Sequence, residues 1–290
     1  MKLSLSAFAK VNLFLEVTGK RPDHYHNICS VMTQIALCDS VHMETLESSC
    51  DSGERILLHC SDSSLPCGEK NLAWRAAEAF MRATGVFLPV SIRIDKKIPA
   101  QAGLAGGSSD AAAVLHGMNR MTGSRLSTEE LCLIGKALGA DVPFCVRGGT
   151  MLCEGIGEKM TPLPSPPPLP VVVAMKHGTG VSTKEAYELL DSHAFAPVSP
   201  QGILTALADG HPDMLCARLF NRFSQTCPDS ASLRDTLLAH GAAGALLSGS
   251  GAAVFGIFRT EEDAKRCADT LRAQNIFAEK TRFRSLSSPT

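Results

Sequence analysis

The sequence predicts an α+β protein of two domains, and three observations carry that expectation. Strand-like segments come first, and helices and strands then mix without strict β-α-β alternation. A proline run, TPLPSPPPLP at residues 161–170, then interrupts the chain between two stretches that are each long enough to hold a core. The expected organisation is a domain at 1–160, a linker at 161–170 and a domain at 171–290.

Residues 5–17 alternate as a strand does, with Ala7, Ala9, Val11, Leu13 and Leu15 on one face and Phe8, Lys10, Asn12 and Phe14 on the other. Residues 18–26 are turn-rich, and further strands are expected at 30–37, 40–46 and 55–59. Residues 71–83 place Leu72, Ala76, Ala79 and Phe80 at helical spacing, with Asn71 as N-cap and Gly85 as stop. A short β-branched strand at 90–94 leads through Lys96, Lys97 and Pro99 into a glycine-rich loop. Helices follow at 109–121 and 127–138, the second opened by Ser127 and Glu130 in capping-box spacing. Beyond the prolines, strands are expected at 171–175, 244–248 and 252–258, helices at 183–191, 202–209 and 261–273, and a frayed tail at 285–290.

Composition excludes several classes of function. With 28 basic and 29 acidic residues the formal charge is -1, so no long-range field favours nucleic acid or an anionic membrane. Lys10, Asn12 and Glu16 interrupt the N-terminal apolar run too often for a signal peptide or a spanning helix, and a cytoplasmic location is expected. The eleven cysteines are odd in number and form no C-x-x-C pair, so they read as reduced thiols that pack as small apolar groups. The closest histidines, His24 and His26, lack a cysteine or a second His pair to complete a zinc site.

Three segments could carry chemistry. In PAQAGLAGGSSDAAA, which starts at Pro99, the glycines Gly103, Gly106 and Gly107 let backbone N–H groups crowd around an anion, and Ser108 and Ser109 add hydroxyls at the positive end of a helix. Gly107 is expected to need positive φ. The plainer alternative is a capped helix whose glycines only shape a turn. Neither G-x-x-x-x-G-K-[ST] nor G-x-G-x-x-G with a ribose carboxylate is present. In LGADVPFCV, Asp141 precedes Pro143, which suits a first helical turn, so alone it reads as a charge beside a helix start worth about 0.3–1 kcal/mol. SGSGAAVFGIF is either a turn that offers amides to an anion or a tight hairpin.

Taken in order, AFAKVNLFLEVTGKRPDHYH, IPAQAGLAGGSSDAAAVL and SGSGAAVFGIF resemble the three motifs of the GHMP kinases across nearly the whole chain. A-K-V-N-L-F-L-x-V, D-x-Y-H and LGADVPF are similar to the branch that acts on a cytidylyl alcohol. The resemblance implies a kinase that uses ATP and Mg²⁺ on a small molecule, a cytidylyl methylerythritol. It also implies an N-terminal domain like domain 2 of ribosomal protein S5, a C-terminal α/β-sandwich domain, and an active-site cleft between them. Lys10 and Asp141 match the catalytic pair. Asn71, Lys96, Pro99, Ala100, Gln101, Ala102, Gly103, Leu104, Ala105, Gly106, Gly107, Ser108 and Ser109 match the ATP-binding set. Asn12 shares a strand face with Lys10 and is assigned to the acceptor with Tyr25, His26 and Tyr187. The two tyrosines, one in each domain, are expected to sandwich the cytosine while His26 reads its edge. No metal ligand is assigned, no nucleic acid or membrane partner is expected, and the chain should be a monomer or homodimer. A homoserine or mevalonate kinase would share the loop without Tyr25 and His26, and a non-catalytic nucleotide-binding relative would not need both Lys10 and Asp141. Two departures stand out. The family's loop usually carries glycine where Ala102 and Ala105 stand, which alanine suits if φ is negative, and D-G-Y-H reads Asp23, His24, Tyr25, His26 here.

Overall fold

The structure, a computed structural model, describes residues 1–46, 55–178, 182–193 and 195–285. Cys50 and, beyond Ser285, the expected frayed tail lie outside the described residues. In chain order the elements are β1 (Lys2–Lys20), β2 (His26–Thr45), β3 (Ile56–Cys60), α1 (Leu72–Thr84), β4 (Val90–Asp95), α2 (Gly106–Thr122), α3 (Thr128–Lys136) and α4 (Val142–Arg147). They continue with β5 (Thr150–Gly155), β6 (Lys159–Pro162), β7 (Pro170–Lys176), α5 (Thr183–Asp191), α6 (Gln201–Asp209), α7 (Pro212–Ala217) and β8 (Phe220–Asn221). After a 3-10 turn at Arg222–Gln225 come α8 (Pro228–Ala239), β9 (Gly244–Leu247), β10 (Val254–Ile257), α9 (Glu261–Ala273) and β11 (Ile276–Arg282).

The chain forms two compact units that do not follow chain order. The first comprises Met1–Ala9, Cys38–Pro99 and Ala105–Arg147, and the second Lys10–Leu37, Ala100–Leu104 and Gly148–Thr290. The long strands β1 and β2 pass from one into the other, and the proline segment 161–170 lies within the second.

In the first unit β3 runs parallel to β4, and β4 runs antiparallel to the end of β2, with Val41 opposite Ile94. Helices supply the rest of its core through Ala76, Ala77 and Phe80 of α1 and Val114, Leu115 and Met118 of α2, all fully buried. The caps behave as expected. Asn71 accepts from the Ala73 amide at 2.9 Å, Gly85 ends α1 at φ +70°, and Ser127 and Glu130 close a reciprocal capping box.

The second unit holds the start of β2 paired with β5, β5 paired with β6, and a parallel contact between β1 and β8 at Phe14 and Phe220. It also holds an antiparallel sheet in the order β11-β7-β10-β9. Val172, Val254 and Leu247 of that sheet pack on Leu233 and Leu237 of α8 and on Ala264, Cys267 and Leu271 of α9. The cysteines among the described residues are free thiols, and no described helix is long and apolar enough to cross a membrane.

One expectation about β2 is corrected. Two strands, at 30–37 and 40–46, were expected, yet one 20-residue strand runs through Cys38 and Asp39 between them. Asp39 is fully buried, and its Oδ1 accepts from the amides of Lys97 at 2.5 Å and Ile98 at 2.8 Å while Oδ2 accepts from Lys96 Nζ. A buried carboxylate satisfied in this way does not break a strand.

Candidate active site

The three sequence motifs meet inside the second unit. Lys10 is 3% exposed, and its Nζ donates to Asn12 Oδ1 and to the carbonyl of Gly103, both at 2.8 Å. Asn12 is also buried, donates through Nδ2 to Ser30 Oγ at 2.8 Å, and accepts the Gly249 amide at 2.9 Å. Ser248 Oγ donates to the Gly103 carbonyl at 3.0 Å, and Asn221 Nδ2 holds the carbonyls of Leu247 and Gly249, each at 2.8 Å. Alternation along β1 puts Lys10 and Asn12 on one side, where the first, second and third motifs are tied by hydrogen bonds. At Gly103, with φ +73°, a Cβ would lie 2.1 Å from the Ser248 carbonyl oxygen, so only glycine lets these backbones approach.

The loop itself corrects two expectations. Gly107 was expected at positive φ, but it is the second residue of α2, and a Cβ there would meet only Leu72 Cδ1 at 3.6 Å. Positive φ falls instead on Gln101 (+52°), Gly103 and Ala105 (+58°), so the condition that suited alanine at 105 is not met. The chain turns into α2 at Ala105, and that reversal needs the left-handed region whatever residue stands there. No side chain caps α2 and no acidic residue occupies its first turn, which leaves its leading amides available to an anion.

The remaining ATP-set residues divide. Gln101 is exposed and Ala100 lies in the turn before it, while Ala102 and Leu104 are buried and hold the loop through the pairs Ala253 N to Ala102 O and Lys10 N to Leu104 O, both at 3.1 Å. Ser109 is buried and spends its hydroxyl on the Phe8 carbonyl at 2.6 Å. Asn71 uses both ends of its amide locally, as cap and as donor to the Pro66 carbonyl at 2.8 Å. Lys96 is held by carboxylates of Asp39 and Asp110. Pro99, Gly106 and Ser108 stand in the loop and the first turn of α2.

Asp141, half-buried, stands directly before α4, where its carbonyl accepts from the Cys145 amide at 3.1 Å and Pro143 occupies the first turn as expected. It belongs to the first unit and Lys10 to the second.

The residues assigned to the acceptor from sequence, Asn12, Tyr25, His26 and Tyr187, all fall in the second unit, which corrects the expectation of one tyrosine per domain. Tyr25 is 59% exposed and follows His24, whose φ of +67° shows why glycine suits that position. His26 stacks on Tyr187 at 4.5 Å with a 16° tilt, and Tyr187 meets Phe223 edge-on at 4.9 Å. His26 Nε2 lies 2.8 Å from Asp191 Oδ1, and Lys20 Nζ lies 2.5 Å from Oδ2. Lys20 first, then His26, holds the Asp191 carboxyl below the usual carboxylate range. His26 thus stacks on Tyr187 and engages Asp191 through Nε2.

Sequence reading passed over Ser30, Asp39, Asp110, Asp191, Asn221, Ser248 and Gly249. Asp110, Ser248 and Gly249 lay within quoted motifs and could have been found there, whereas Asp39 and Asp191 carried no local signal.

Lys10 thus bonds directly to the glycine-rich loop, and the third motif joins both through Ser248 and Gly249. Residues 71–149 match the GHMP kinases N terminal domain, and residues 202–276 match GHMP kinases C terminal. The chain is 41% identical over 273 residues to 4-diphosphocytidyl-2-C-methyl-D-erythritol kinase of Caldicellulosiruptor saccharolyticus, covering 92% of each. It is similar to a crystal structure of 4-(cytidine 5'-diphospho)-2C-methyl-D-erythritol kinase, with a TM-score of 0.78 and 35% identity over 97% of this chain and 99% of that one. Homoserine kinase from Cytophaga hutchinsonii shares the fold, with a TM-score of 0.71 at 19% identity over 97% of this chain and 95% of that one. The chain belongs to the 4-diphosphocytidyl-2-C-methyl-D-erythritol kinase family of the GHMP kinases. It is an ATP-dependent small-molecule kinase, and the homoserine, mevalonate and non-catalytic alternatives are not favoured.

Proposed function

We propose that this chain transfers the γ-phosphoryl group of ATP to the 2-hydroxyl of 4-diphosphocytidyl-2-C-methyl-D-erythritol, in the non-mevalonate route to isoprenoid precursors, as a cytoplasmic monomer or homodimer. The observation that carries the reading is the junction of Lys10, Asn12, Gly103 and Gly249, which ties all three family motifs together in a chain with close relatives of that name. Phosphoryl transfer asks mainly for positioning and charge stabilisation. The uncapped start of α2 offers amides to the nucleotide phosphates, and Lys10, fixed by two hydrogen bonds, presents positive charge to the phosphoryl group. Asp141 receives the proton of the attacking hydroxyl as the bond from the γ-phosphorus to the ADP oxygen breaks. Mg²⁺ would neutralise charge on the phosphates. Among the described residues no group of three His, Cys, Asp or Glu is placed to hold a metal ion. Tyr25 and the stacked pair of His26 and Tyr187 bind the cytidylyl group.

The test is an ADP-release assay with 4-diphosphocytidyl-2-C-methyl-D-erythritol, mevalonate and homoserine as acceptors. We expect turnover with the first alone. Equal or better turnover with either of the others would overturn the assignment.

A further inference from the structure

We propose that Asp39 and Asp110 are positioning residues for nucleotide binding, which hold Lys96 as a strut between the strand end that leads into the phosphate loop and the first turns of the helix that leaves it. The proposal rests on the reading that this loop binds ATP phosphates, and it gives Lys96 a role other than direct contact with them. All three residues belong to the first unit. Asp39 and Asp110 are fully buried or nearly so, at 0% and 4% exposure, and the Lys96 side chain is 8% exposed. Lys96 Nζ reaches Asp39 Oδ2 and lies 2.7 Å from Asp110 Oδ2.

The wiring spans both ends of the loop. Asp39 also accepts the amides of Lys97 and Ile98, the two residues before Pro99, so it fixes the backbone where the loop begins. Asp110 is the fifth residue of α2, so its hold on Lys96 fixes the helix where the loop ends. A Cβ added at Gly106, the first residue of α2, would lie 3.0 Å from Ile98 Cγ2 and 3.4 Å from Lys96 Nζ, which shows how closely the two ends pack.

Charge explains why the strut needs both carboxyls. An ammonium held between the Asp39 carboxylate and the Asp110 carboxyl in a buried site has little positive field left for a polyanion. Asp110 Oδ1 is buried without a hydrogen-bond partner, whereas Asp39 has two amides besides the lysine. Removal of the lysine therefore takes the counter-charge from both groups, leaving Asp39 its two amides on Oδ1 and Asp110 without its lysine donor.

That asymmetry supplies the experiment. Titration calorimetry with β,γ-imido-ATP and Mg²⁺ is run on the full chain, on Lys96→Met and on Lys96→Met/Asp110→Asn, with melting temperatures measured alongside. Lys96→Met should weaken binding at least tenfold. The double variant should return to within threefold of wild type, because the amide that replaces the Asp110 carboxyl can donate to Asp39 in place of the lysine. The loss in Lys96→Met should fall on ATP and spare the KM of the acceptor alcohol. No loss in Lys96→Met, or a double variant as weak as the single one, would overturn the proposal, the latter by making Lys96 a direct ligand. If Lys96→Met does not fold, Asp39→Asn replaces it. That change sets an amide donor against either the lysine or the two backbone amides, and it should weaken nucleotide binding at least fivefold, so unchanged affinity would equally overturn the proposal. Gly107→Val separates the two readings. It has room to fold and should abolish nucleotide binding if the loop cradles phosphates, so unchanged affinity there overturns the loop assignment itself, whatever the Lys96 variants do.

Discussion

Ala105 is where one residue's conformation conflicts most openly with its chemistry. A left-handed alanine costs roughly 1 kcal/mol or more, while glycine there would cost roughly 0.5–1 kcal/mol through the freedom it adds to the unfolded chain. Ala105→Gly should therefore be neutral to stabilising, with a melting temperature unchanged or raised by about 2–4 °C at most, and it should keep nucleotide affinity. A fall of several degrees would mean that the Ala105 methyl packs well enough to outweigh its backbone strain. Asp141 allows a sharper test, because Asn keeps its size and its place before α4 but cannot take a proton. We expect Asp141→Asn to lower kcat by about 10²- to 10⁴-fold while the dissociation constant for ATP stays within about threefold. A variant with near wild-type kcat would remove Asp141 from the proton transfer.

At the scale of elements, the cluster proposed to bind the acceptor joins a turn to a helix, and the two tyrosines differ in what surrounds them. Tyr25 is exposed, so Tyr25→Ala should leave the melting temperature alone and raise KM for the cytidylyl acceptor by roughly 5- to 100-fold, the worth of one lost stacking face. Tyr187 packs on His26 and Phe223, so Tyr187→Ala should lower stability as well as acceptor affinity. An ATP effect from Tyr25→Ala with the acceptor spared would exchange the two pockets. The same contrast explains which elements were legible. Helices with a capping residue and a clear apolar stripe, α5 and α9, have the bounds read from sequence, 183–191 and 261–273. The short α7, the strands β5, β6 and β11, and α8, which opens on Pro228 and buries chiefly Leu233 and Leu237, carried too little periodic signal. The site was legible in part for a physical reason. Lys10, Asn12 and the loop lie in local motifs, whereas Asp39 acquires its role only when residue 96 is brought to it across the fold.

For the whole molecule, the buried strut makes stability depend on pH in a direction opposite to the usual carboxylate. Burial first, opposed by Lys96 and reinforced by Asp39, pushes the Asp110 carboxyl up to about 7 from an ordinary value near 3.8. Besides those two groups, the Cys60 thiol on β3 faces the cluster, and its own titration is raised by burial out of the neutral range. Between the unfolded and folded values the native protein holds a proton that the unfolded chain has released, so the unfolding free energy falls as pH rises. The contribution is complete below the unfolded value and is lost by the time pH passes the folded one. Asp110→Asn removes this titration and keeps an oxygen for Lys96 to donate to. Urea unfolding of wild type and Asp110→Asn from pH 5 to 8.5 should then show wild type losing ground to the variant by about 1.4 kcal/mol per pH unit at most up to neutrality, and little further above it. A wild-type advantage that grows with pH would mean that Asp110 is ionised in the native state and that Lys96 compensates for both carboxylates.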